Sequence, residues 1–214
     1  MLRSSGDTLP GGNFVNFAEP SLSPETIKQE TMRLNDFDRL HVVTGGPGSG
    51  KSTLIEALAA AGVATSAEVG RAIIREELAA GGSALPWADH YAFAERMIER
   101  EVAAHADALA SGLTVVLDRG VPDVIGFLRV SGLAVPPPID AAARACRYNH
   151  RVFIAPWWPE IFTTDAERKQ TPAEARATFA VMVATYRDYG YRLVELPRVP
   201  VAERVAFVRQ AIQA

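Results

Sequence analysis

Cysteine occurs once, at Cys146, so the chain can form no internal disulfide. A single thiol suits a reducing compartment and points to the cytoplasm, and it excludes a disulfide-framed secreted scaffold. Cys146 reads as a small buried residue within a helix. Lysine is nearly as scarce: Lys28, Lys51 and Lys169 are the whole set, and the other basic residues are arginine. No apolar run approaches the roughly 18 residues that cross a bilayer, and the N-terminus carries no charged-then-apolar export pattern. No membrane span is expected, nor export by that route. The formal net charge of −3 argues against bulk nucleic-acid binding. His41, His90, His105 and His150 have no zinc-ligand spacing and read as structural or surface residues.

Against that thin lysine background, Lys51 closes the stretch Gly45-Gly46-Pro47-Gly48-Ser49-Gly50-Lys51-Ser52-Thr53, which fits GxxxxGK[ST]. Leu40 to Thr44 before it reads as a short buried strand, and Thr53 to Ala61 after it as a helix. Strand, glycine-rich turn and helix start are the context this phosphate-binding loop requires. Glycines let successive N–H groups curl into an anion nest. The helix start adds unpaired N–H groups and the positive end of its dipole. Lys51 supplies a point charge for β/γ-phosphates, and Ser52 a hydroxyl for Mg²⁺.

The 214 residues allow one α/β domain with a small lid. Residues 1–38, broken by Gly6, Pro10, Gly11, Gly12, Pro20 and Pro24, read as an extension, partly disordered or draped on the domain, with a short helix from Ser23 to about Met32. Residues 39–214 form the domain itself. Val63 to Ser66 reads as a second strand, followed by a helix to about Ala80. Pro86 is expected to open a long helix to Ser111, which Gly112 stops. Leu113 to Leu117 is a third strand, with a helix from Pro122 to about Val130 behind it. Ile139 to Tyr148 reads as helix, Arg151 to Ala155 as strand, Pro172 to Tyr189 as helix, Tyr191 to Leu196 as strand and Val201 to Ile212 as the closing helix. This alternation predicts a three-layer fold, a five-stranded parallel sheet with helices on both faces. The lid is placed near 157–172.

Strand ends gather the remaining chemistry. Asp118 ends an apolar strand and can hold Mg²⁺ beside Ser52, or else cap the next helix. Arg119 follows it, facing a phosphate or the acceptor. Glu68 lies just past the second strand, where it can orient an acceptor hydroxyl with Arg71 binding the acceptor; the alternative is a solvated Glu68–Arg71 pair. In the lid, Arg168, ahead of Lys169, can balance charge during phosphoryl transfer. Trp157-Trp158 reads as a packing hinge, or as part of a ligand pocket.

On these residues the chain resembles a compact P-loop kinase-type ATPase and is similar to the predicted ATPases of the AAA_28 group, which includes relatives of ribosylnicotinamide kinase domains. Beyond the glycine-rich loop, the likeness rests on Glu68-Val69-Gly70-Arg71, on Asp118-Arg119-Gly120-Val121-Pro122-Asp123, on Trp158-Pro159-Glu160-Ile161-Phe162 with Asp165 and Arg168, and on Tyr186 with Gly190 to Val194. It covers about residues 39–213. The resemblance implies the P-loop NTPase fold and binding of ATP with Mg²⁺, without naming an acceptor or an oligomeric state. Two functions follow as expectations: a kinase acting on a nucleoside, nucleotide or similar small molecule, or an ATPase switch with no such acceptor. A GTPase is disfavoured because no [NT]-K-x-D tetrapeptide occurs, and an AAA+ motor because the chain has no room for a helical second domain.

Overall fold

The apolar stretch that begins at Leu40 becomes the middle strand of the protein. The structure is a computed structural model that describes residues 36–162 and 171–213. The expected extension as far as residue 35, its short helix, and residues 163–170 of the expected lid lie outside the described residues. Strand β1 (Leu40–Gly45) is buried along its whole length, as a strand covered on both faces must be. With β2 (Ala64–Thr65), β3 (Val115–Asp118), β4 (Arg151–Ala155) and β5 (Arg192–Glu195) it forms a parallel sheet of five strands in the order β2-β3-β1-β4-β5. Between and after the strands run α1 (Lys51–Ala60), α2 (Val69–Ala80), α3 (His90–Ser111), α4 (Val121–Val130), α5 (Pro137–Ala145), α6 (Pro172–Asp188) and α7 (Val201–Ile212). Parallel pairing demands such crossovers.

The two-residue period of β1 separates two cores. Leu40 and Val42 join Ile73 of α2, Phe93 of α3, Leu128 of α4 and Tyr186 of α6. Val43 joins Leu54 and Leu58 of α1, Phe153 of β4 and Val208 of α7. Helices α1 and α7 therefore cover one face, and α2 to α6 the other. At about 1.5–3 kcal/mol for each fully buried Leu or Phe side chain, this two-sided burial fixes the register more firmly than local propensity does. Val43 pairs with Asp118 and Gly45 with Ala155, which sets the C-terminal ends of three strands side by side.

Several element boundaries differ from the sequence expectation. The long helix begins at His90, not at Pro86. Asp89 caps it by accepting a hydrogen bond from the Ala92 N–H at 3.0 Å, while Pro86 sits in a preceding turn closed by Ala88 N–H to Leu85 O at 3.1 Å. Helix α5 runs from Pro137 to Ala145 rather than from Ile139 to Tyr148. Proline suits its first turn, and its end is set by the core. There the Tyr148 hydroxyl accepts from the Val121 N–H at 3.1 Å, and the Asn149 N–H donates to Leu40 O at 2.8 Å. Cys146 is thus buried at the helix terminus rather than inside the helix, and burial pushes its thiol pKa up. The third strand starts at Val115, two residues after the exposed Leu113.

His41 and His105 are buried. Burial, helped by Arg151, pulls His41 down to about 4. His105 shares a 2.8 Å hydrogen bond with the Arg147 carbonyl.

Glu101 on α3 is 2% exposed, and its Oε1 has no hydrogen-bond partner among the described residues. Burial, reinforced by Asp123, pushes its carboxyl well above the ordinary range. The native state therefore keeps a proton that the unfolded chain releases. This contribution to stability is complete below the unfolded value of 4.5 and is lost as pH climbs through the folded one. Glu101→Gln imitates the protonated acid. Between about pH 5 and about pH 8 its urea midpoint should fall less than that of the parent protein.

Candidate functional site

From β1 the chain turns through residues 46–50 into α1. Gly50 caps that helix at φ 75°, in the left-handed region that glycine enters without strain. Gly46 is pressed against α6, where a Cβ would come within 2.6 Å of the Ala175 carbonyl oxygen. Inside the loop the Ser49 hydroxyl donates to Gly46 O at 2.8 Å, and the Lys51 ammonium donates to Gly46 O at 2.7 Å and to Ser49 Oγ at 3.3 Å. Arg204 of α7, buried so that its pKa is lowered, reaches Gly50 O at 3.4 Å and Ser49 O at 3.5 Å. The loop is braced from two helices before any ligand enters.

Beside it, at the tip of β3, Asp118 is 3% exposed, and its Oδ1 has no hydrogen-bond partner among the described residues. Burial raises its pKa and Glu68 adds to the rise, while Arg119 and Lys51 oppose it. Among the described residues, no three or more His, Cys, Asp or Glu side chains are grouped to hold a metal.

Arg119 is the only non-glycine residue with positive φ among the described residues, at 79°. Its N–H donates to Val43 O at 3.0 Å, which holds this sparsely populated conformation. Its guanidinium meets Glu68 at 3.2 Å and Asp123 at 2.8 Å, and Glu68 also pairs with Arg71 at 3.1 Å. Burial alone would lower the Arg119 pKa, but Glu68, Asp123 and Asp118 together raise it. Asp123, 1% exposed, accepts in addition from the Thr44 hydroxyl at 2.7 Å, the Tyr186 hydroxyl at 2.6 Å and the Gly120 N–H at 3.3 Å.

These charges floor a cavity of about 690 Å³ that begins at Pro47 of the loop and runs between α2, α3, α4 and α6. Ile74, Phe93, Met97, Phe127 and Met182 form its walls.

The AAA_28 family model, described as an AAA domain, matches residues 40–204. The chain belongs to the AAA_28 family. Solved structures similar to this AAA_28 domain include NadR in complex with NR (TM-score 0.61, 16% identity, 88% of this chain and 60% of that one). A second NadR structure, with NAD and AMP-PNP, gives 0.57 at 15% identity over 88% of this chain and 58% of the other. Thymidylate kinase from Ehrlichia chaffeensis gives 0.54 at 17% identity, covering 82% of this chain and 98% of that one. The AAA_28 domain spans about three fifths of the NadR chains it matches. At these identities the likeness is one of fold, the P-loop NTPase fold. No match was found among curated proteins.

Within this AAA_28 fold, the residues singled out from the sequence mostly converge. The loop from Gly45 to Ser52 lies at the sheet edge with Asp118 next to it, while Thr53 points to solvent. Glu68, Arg71 and Arg119 share one charge cluster beside the loop residue Pro47. Arg168 and Lys169 lie outside the described residues. Trp157 packs on Phe162 with ring centroids 4.8 Å apart, and does not line the cavity. Sequence reasoning missed Thr44, Tyr186 and Arg204 as site supports. It met Asp123 only as part of a motif, although an acid three residues after Gly120 at a helix start was a visible capping signal.

The two neighbouring acids should respond oppositely to neutralisation. The raised pKa of Asp118 means that its ionised form costs stability at neutral pH, so Asp118→Asn should raise Tm, by about 2–4 °C for each kcal/mol relieved. Asp123→Ala strips a partner from a buried guanidinium and should destabilise by about 3–5 kcal/mol. Thermal and urea unfolding at neutral pH test both; a lower Tm for Asp118→Asn would mean that Asp118 holds the fold rather than a ligand.

Proposed function

We propose that this domain is an ATP-dependent small-molecule kinase, working in the cytoplasm. The observation that carries this reading is that the phosphate loop and the cavity share a wall. Pro47 lines the cavity together with Glu68, Arg119 and Asp123, so a triphosphate tail in the loop would end beside that cavity. A nucleotide switch would need the loop but not the cavity.

In this reading the loop amides and Lys51 hold the β- and γ-phosphates. Lys51 exchanges its bonds to Gly46 O and Ser49 Oγ for phosphate oxygens, a small swing because its ammonium already lies on the loop. A Mg²⁺ ion fits the residues present: Asp118 offers a buried oxygen that has no partner among the described residues, and Ser52 a hydroxyl in the first turn of α1. Octahedral Mg²⁺ takes few protein ligands and completes its shell with phosphate and water, so no larger acid cluster is required. When bound, the ion neutralises charge on the β/γ oxygens.

Glu68 orients the acceptor hydroxyl and takes its proton, held in place by Arg71 and Arg119. Arg119 offers positive charge where charge builds on the transferring group. Arg168, in the stretch that the sequence suggests as a lid, is assigned the same task.

Lys51→Ala should lower turnover of ATP by about 10²-fold or more, with an unchanged far-ultraviolet circular dichroism spectrum. Glu68→Gln should lower phosphoryl transfer by about 10²–10⁴-fold while the nucleotide Kd moves little. ADP release against a panel of hydroxyl compounds reads both. A flat response to every compound, with nucleotide still bound, would favour the switch.

A further inference from the structure

We propose that the phosphate acceptor is an uncharged alcohol with an apolar body, and that phosphorylated or carboxylate acceptors are excluded. This rests on the kinase reading and narrows it.

Charge at the floor makes the first half of the argument. The described charged side chains lining the cavity are the carboxylates of Glu68, Asp123 and Glu174 and the guanidinium groups of Arg71 and Arg119. Among the described residues, three acids at this floor stand against two cations. Both cations are also engaged: Arg71 with Glu68 at 3.1 Å, and Arg119 with Glu68 at 3.2 Å and Asp123 at 2.8 Å. A carboxylate or phosphate brought here would have to break part-buried ion pairs and would then face the carboxylates of Glu68 and Asp123. A hydroxyl carries no such cost. It needs one acceptor, and Glu68 is one.

The walls make the second half. Phe93 and Phe127 meet edge to face with centroids 5.2 Å apart, and Ile74, Met97 and Met182 fill out the chamber. The Thr178 hydroxyl, one of the few polar wall groups, is turned onto its own helix, donating to Glu174 O at 2.8 Å. A polar heterocycle would find few partners for its edge groups, and each buried group left unpaired costs about 1–3 kcal/mol. The apolar lining continues outward: Leu78, Trp87 and Val130 stand at the mouth, 57%, 56% and 41% exposed. Exposed apolar side chains around an opening mark a ligand that brings matching surface. The volume of about 690 Å³ lies within the range of pockets that enclose a whole small molecule.

The chemistry balances simply. The alcohol oxygen forms a bond to the γ-phosphorus as the bond to the β,γ-bridging oxygen breaks. The alcohol proton passes to Glu68, and ADP leaves with the bridging oxygen.

The test uses the full chain with Mg·ATP and four sets of probes: cinnamyl alcohol and geraniol, adenosine and cytidine, their 5′-monophosphates, and shikimate. ADP release and mass spectrometry of the product report transfer. Fluorescence of Trp87, assigned by its loss in Trp87→Phe, reports binding without transfer. The apolar alcohols should raise ADP release at least tenfold, saturably, and should shift the Trp87 emission. Leu78→Glu with Val130→Glu, both at exposed positions, should raise the KM for those alcohols about tenfold without changing the circular dichroism spectrum.

Stimulation by the monophosphates or shikimate, or by the nucleosides alone, overturns the proposed acceptor class and leaves the kinase reading standing. Binding of an apolar alcohol without transfer keeps the ligand class and overturns the kinase reading. No binding and no transfer from any set, in protein that still binds ATP, overturns both.

Discussion

One carboxylate ties the working edge of this protein together. Asp123 sits at the start of α4, yet its two oxygens take hydrogen bonds from Thr44 at the end of β1, Arg119 at the β3–α4 turn and Tyr186 on α6. These are the strand that leads into the phosphate loop, the residue with the strained backbone and the helix against which Gly46 is seated. A buried charge satisfied from several sides is rigid, because any shift leaves a polar group unpaired in a low dielectric. The loop, the Arg119 guanidinium and the cavity floor therefore hold fixed positions relative to one another. Positive φ at Arg119 becomes tolerable because its N–H is anchored to Val43 and its side chain is clamped by two acids.

The same network explains why the site carries a standing cost in stability. Asp118 and Glu101 are buried acids whose pKa values burial drives up, and Asp118 lies within reach of the charges of Glu68 and Asp123. A fold selected for stability alone would replace Asp118 with an amide. An acid whose Oδ1 has no partner among the described residues instead stands beside the loop. Local strain and unspent hydrogen-bonding capacity cluster at sites of chemistry.

What could be read from the chain divides by sequence distance. The phosphate loop, its flanking strand and helix, the alternation of strands with helices and the sheet's parallel character were legible because each depends on a few neighbouring residues. Glu68, Asp118 and Arg119 were legible as strand-end residues once the topology was inferred. Asp123 was not recognised as the hub, because its partners Thr44 and Tyr186 lie 79 and 63 residues away. Arg204, reaching back 154 residues to the loop, left no local signal at all. The misplaced boundaries have the same origin. Asp89 outcompeted Pro86 as the start of α3 through one capping bond, and Tyr148 was pulled out of α5 by its core contact with Val121. The cavity is the sum of side chains from four helices, and no single segment announces it.

The two ends of the sheet bear on how copies of this chain meet. Strand β2 is only two residues long, and β5, at the far side, begins and ends on exposed charged residues, Arg192 and Glu195. A short border and a charged border both discourage a neighbouring chain from adding its own strand by main-chain hydrogen bonding. Among the described residues, both borders of the sheet are thus poor templates for ladder-type stacking.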